Sequence, residues 1–136
     1  MFLAVAVLIL GSQGSTTSEH SVASIINDCW KNHDHAGMSA CLEARAREAR
    51  VGLSHAENLA RDAIRASVDE PGFPEYRKQA LARLKLASSA FSQYVASECA
   101  YEAALASKGN GAEDVRLACI AMLSEDRAQR ISGVFP

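Results

Sequence analysis

Hydrophobic positions along the 136-residue chain fall into two kinds of pattern. Residues 2–10 form an unbroken apolar run, whereas further on the apolar positions recur at steps of three and four, the spacing of one helix face. The clearest stripe is Leu81, Leu84, Ser88, Phe91, Val95 and Glu98, widened at the same period by Ala87, Tyr94 and Tyr101. A narrower stripe of mostly small side chains runs through Leu42, Ala49, Leu53, Ala56, Leu59, Ala60, Ala63 and Ile64, which lets helices approach closely. Polar punctuation separates the stripes. Asn32-His33-Asp34-His35-Ala36-Gly37 interrupts the chain first, then Asp69-Glu70-Pro71-Gly72-Phe73-Pro74, where each proline lacks a donor and turns its predecessor away from helix. The third break is Gly109-Asn110-Gly111, where glycine can take a left-handed cap. Helices are therefore predicted over residues 22–31, 39–67, 75–107 and 113–131. The fold class is all-α, a small bundle of about four helices, one short and three long.

Composition supports that reading, because Ala, Leu, Arg and Glu dominate between the breaks and β-branched residues are few. With 14 Lys and Arg against 16 Asp and Glu, and no conspicuously basic face or tail, the electrostatic footprint of a nucleic-acid binder is absent. The apolar start, followed by Gly11-Ser12-Gln13-Gly14-Ser15, reads as a secretory leader over residues 1–14, though no Lys or Arg precedes Phe2. It is shorter than the ~20 apolar residues a membrane span needs, and no Cys follows it as a lipid-anchor site. The expected organisation is a leader (1–14), a flexible segment (15–24) and one helical domain (25–132), soluble and secreted or periplasmic, without membrane contact once the leader is removed.

In an oxidising compartment an even number of cysteines implies disulfides. Cys29 and Cys41 flank the first break, and Cys99 and Cys119 lie on near-equal arms of the hairpin that turns at Gly109-Asn110-Gly111. This favours Cys29 with Cys41 and Cys99 with Cys119, each stabilising by roughly 2–4 kcal/mol through loop closure. The two other connectivities, which cross-link the first and last helices, stay open. So does a tetrahedral zinc site from Cys29, His33, His35 and Cys41, although an exported chain normally oxidises such thiols. We therefore expect no metal and no cofactor. Trp30 should cover the first disulfide, and Phe91, Tyr94 and Tyr101 should be core. His20 and His55, the pair Glu125-Asp126, and the run Arg45, Arg47, Glu48, Arg50 should be solvated surface. Neither a phosphate-binding loop, a nucleophile elbow nor a His-Glu-x-x-His helix is present, so no catalytic residues are assigned.

The stretch from Phe91 through Tyr94 to Glu98-Cys99, a Gly-rich turn, and then Cys119-Ile120 with Ser124, Arg127 and Ile131 resembles the C-terminal half of the lysozyme inhibitor LprI-like domain. The shared pattern is an aromatic, an aromatic three later, Glu-Cys, a glycine turn, Cys, an apolar residue, Ser or Thr, and Arg. Cys29, Cys41 and Leu53-Ser54 resemble the N-terminal half more loosely, so the resemblance spans residues 25–131. The chain departs from the pattern at Phe91 (usually Trp), Val95 (Arg), Arg50 (Asp) and Ser54 (Asn). The resemblance implies a secreted, disulfide-bonded helical domain that is not an enzyme and that binds and inhibits lysozyme. The alternative is a helical cell-envelope module of structural or stress-related role. For a lysozyme partner the expected contact is the turn carrying Asp69, Glu70, Phe73 and Glu75, which its prolines pre-order and which offers Phe73 as an anchor.

Overall fold

A computed structural model describes residues 20–69, 71, 74–106 and 111–134. Four helices make up these residues, with no strand among them: α1 (Val22–Trp30), α2 (His35–Ala66), α3 (Tyr76–Leu105) and α4 (Ala112–Val134). The all-α class, one short helix followed by three long ones, is as predicted. Residues 1–19, which hold the expected leader, lie outside the described residues, as do Glu70, Phe73, Gly109 and Asn110.

Local chemistry explains where the helices begin. Ser21 opens α1 with a reciprocal capping box, its hydroxyl accepting from the Ser24 N–H while the Ser24 hydroxyl accepts from the Ser21 N–H. The helix α2 starts four residues before its predicted position, because Asp34 is an N-cap whose carboxylate accepts from the Gly37 N–H at 2.8 Å. Gly37 thus sits inside the first turn and does not break the chain. A Cβ there would come 2.9 Å from the His33 Cβ, so the glycine allows a close approach. The N-cap of α3, Glu75, makes no side-chain capping bond; Asp69 supplies one from across the turn by accepting from the Arg77 N–H at 3.0 Å. No described glycine has a positive φ, so Gly111 is not a left-handed cap; its carbonyl instead accepts from Val115 N–H at the start of α4.

The centre of the bundle is α4. Leu117, Ala118, Cys119, Ile120 and Ala121 are consecutive and all buried, which on a helix means cover on every side. It packs most extensively on α2, where Leu42, Ala46 and Ala49 oppose it and their small side chains let the two helices close up. On one side α1 lies across α2 and α4, bringing in Ile25 and Cys29; on the other α3 leans on α4 through Val95 and Cys99 and touches α2 least.

Both predicted disulfides form, Cys29–Cys41 tying α1 to α2 and Cys99–Cys119 tying α3 to α4, with Cα separations of 5.7 and 5.5 Å. The zinc reading of Cys29, His33, His35 and Cys41 falls with the first, since both thiols are consumed. Five positions expected in the core or on a core-facing stripe are exposed instead. Tyr94, Tyr101 and Ala87 lie on the edge of the α3 stripe, on the flank turned away from Ser92 and Ala96, where no helix covers them, so the two tyrosines are 49% and 59% exposed. Leu59 on α2 is likewise exposed. Trp30 ends α1 53% exposed and edge-on to His35. Among the described residues no helix is long and apolar enough to cross a membrane.

Candidate functional site

Because α2 and α3 diverge above α4, they leave an open groove of about 630 Å³ between them. Its apolar surface comes from Leu53 on α2, Phe91 and Val95 on α3 and Ile120 on α4; hydroxyls of Ser54, Ser88, Ser92 and Ser124 interrupt it. Arg50 stands on the α2 lip and Arg116 at the end nearest Cys99.

One polar cross-tie crosses the other end. Arg127 of α4 donates from Nε to Glu57 of α2 at 3.2 Å and from Nη2 to the Ser88 hydroxyl of α3 at 3.4 Å, while Ser88 itself donates to Glu57 at 2.7 Å. The guanidinium also lies 4.8 Å above the Phe91 ring. Three helices are thus tied at one point by groups that are mostly shielded, the Arg127 and Glu57 side chains being 18% and 17% exposed. Phe91 passes the contact on to Tyr94, whose ring centroid is 6.4 Å away.

A second cross-tie lies away from the groove. Arg45 of α2 donates to Glu125 of α4 at 3.3 Å, and His20 Nε2 approaches the same carboxylate at 2.9 Å and Asp126 at 3.8 Å. These residues were expected to be free surface charges; Arg45 and Glu125 instead tie α2 to α4, with His20 lying beside the same carboxylate. Nearby, the Ser39 hydroxyl donates to the buried Asp114 carboxylate at 2.9 Å, tying the starts of α2 and α4.

Of the residues singled out in sequence, Phe91, Ser124 and Arg127 converge on the groove, Ser124 fully within its floor. Tyr94 is exposed outside it, beside Phe91, and Glu98 is half-buried on α3. The positions at which the chain departs from the resembled pattern, Arg50, Ser54, Phe91 and Val95, all line the same groove. In the 69–75 turn, Asp69 is held by both the backbone and guanidinium of Arg77, and Glu75 pairs with Lys78 at 3.2 Å. The bond from the Arg77 backbone N–H, helped by its side chain, holds the Asp69 carboxyl below the ordinary value of 3.8. In the same way the Arg116 guanidinium lowers the Glu113 carboxyl below 4.5 and is itself raised.

Glu57 was missed by sequence reasoning. The available signal was an acid inside the apolar stripe of α2, four residues after Leu53 and three before Ala60, a place where a charge persists only if something answers it.

Such features define a class: a small disulfide-stapled helical domain whose polar groups fasten helices together and border an open, mixed-polarity surface groove. Within that class the chain belongs to the lysozyme inhibitor LprI family, whose model matches residues 29–131, most of the chain and all four cysteines. None of the curated proteins and none of the solved structures matches it. The family is one of inhibitors rather than enzymes, its name points to a protein partner such as lysozyme, and the two disulfides fit an extracellular location.

Proposed function

We propose that the chain is an exported inhibitor of lysozyme-type peptidoglycan muramidases, made with residues 1–14 as a cleaved leader and acting in the periplasm or outside the cell. The observation that carries this reading is the family match over residues 29–131, which takes in α2, α3, α4 and both disulfides. An inhibitor need only present a rigid surface to an enzyme cleft, and a bundle fastened by two disulfides and two cross-ties is pre-organised to do so.

The contact proposed first is the 69–75 turn. Asp69 is held to α3 by Arg77, Glu70 and Glu75 suit a basic enzyme surface and Phe73 supplies the anchor. The test is a bacteriolysis assay with purified mature protein and several lysozyme types. Inhibition at micromolar concentration or below is expected, and Phe73→Ala, with its helicity intact by circular dichroism, should inhibit at least about tenfold less well. Equal inhibition by Phe73→Ala removes the turn from the interface. If the parent inhibits no muramidase, the protein is a helical envelope module instead.

A further inference from the structure

The charges around the groove between α2 and α3 do not cancel. Glu57 is matched by Arg127, and Arg116 by Glu113, but Arg50 on the α2 lip pairs with no acid among the described residues and is exposed. The groove therefore offers one uncompensated cation above an apolar wall of Leu53, Phe91 and Val95. Its polar cross-tie is already satisfied, so an incoming group meets no unanswered charge below the lip.

We propose that this groove receives a ridge of the muramidase beside its catalytic cleft, with Arg50 facing the cleft carboxylates. The inference rests on the inhibitor reading above and adds a second contact to it. Two observations select this occupant. The first is charge: glycoside cleavage by such enzymes needs a pair of carboxylates in the cleft, and a lone arginine beside an apolar wall is the complement of an acid beside an apolar ridge. The second is continuity, because the groove walls are the two helices joined by the 69–75 turn. Arg50 lies about 24 Å along α2 from the end of that helix, within the width of one ordinary protein interface. The distance between them is thus one that a single partner can span.

The experiment compares the parent with Arg50→Glu, Arg50→Lys, Ala96→Trp and Arg130→Glu, each checked for helicity and melting temperature, in inhibition and calorimetric binding against a muramidase. Ala96 is exposed and lines the groove, so tryptophan there fills it without replacing a core residue; Arg130 is exposed on α4, outside the groove, and controls for net charge. Arg50→Glu and Ala96→Trp should each weaken binding about tenfold or more, Arg50→Lys less, and Arg130→Glu little. If the parent inhibits while Arg50→Glu and Ala96→Trp inhibit equally well, the groove assignment is overturned and the inhibitor reading stands on the turn alone. Equal losses for Arg50→Glu and Arg130→Glu also overturn it, since the effect is then long-range charge. A parent that binds no muramidase overturns both readings together.

Discussion

Arg127 does more work than any other single side chain in the bundle, because one guanidinium reaches α2, α3 and an aromatic ring at once. Hydrogen bonds to charged groups contribute more than neutral ones, so Arg127→Met should cost about 2 kcal/mol in urea unfolding. Adding Glu57→Gln should cost less than the sum of the separate changes, with a coupling of about 1 kcal/mol, because each single change strands the other partner. Additive losses would mean that the two groups are held apart by water in solution. Asp69 gives a pH-dependent counterpart. Its folded pKa is lowered, so the stability it adds is present above about pH 3.8 and is lost as pH falls through the lower folded value. Asp69→Asn should therefore be less stable than the parent at neutral pH, and the difference between their urea midpoints should shrink on acidification below about pH 4. Glu113, lowered by Arg116, titrates in a similar range in both proteins and drops out of that difference. Amide exchange at Arg77 should be faster in Asp69→Asn, because the first turn of α3 loses the capping bond that Glu75 does not provide.

At the scale of elements, the two disulfides perform different tasks. Cys29–Cys41 closes a loop of sequence separation 12 and fixes a short helix that already packs on both α2 and α4. Cys99–Cys119 has a separation of 20 and fastens α3, which depends on α4 for most of its contact. The difference in loop length is worth only about 0.5 kcal/mol, so any larger gap must come from the packing of α3. Replacing Cys99 and Cys119 by Ala should lower the melting temperature more than replacing Cys29 and Cys41, and should also widen the groove, of which Cys99 forms part. Equal melting shifts would place the weight of the fold on the α1 side instead. Helix limits were legible to within a few residues, because propensity and proline act locally. The start of α2 was not, since Asp34 and Gly37 read as a break but combine into a cap, a distinction that depends on which backbone N–H the carboxylate meets.

For the whole molecule, both pairs of thiols are consumed, so protein made in an oxidising compartment and denatured without reductant should label at no cysteine, and reduction should lower its melting temperature. Two or more labelled cysteines per chain would contradict the disulfide framework. The unequal spacing of the three long helices is also a property visible only at this scale. Since α2 and α3 each prefer α4 to one another, the bundle closes on one side and opens on the other, and the open side carries Arg50, Leu53 and Phe91.

The sequence by itself determined the class, the helix count and the family, and favoured the disulfide pairs that the structure contains. Each of these follows from information carried over short stretches: three-and-four periodicity, helix-forming composition, proline and glycine punctuation, cysteines set at matching distances from a turn, and a motif running from Phe91 to Arg127. Which face of a stripe is covered was beyond it. Tyr94, Tyr101 and Leu59 satisfy the same periodicity as Val95 and Ala56, yet they are exposed because burial depends on whether another helix passes overhead, and none covers them. The partners of charges were beyond it as well. Glu57 and Arg127 stand 70 positions apart and Arg45 and Glu125 stand 80 apart, and only the packing of α2 against α4 turns these surface-like residues into ties between the two helices.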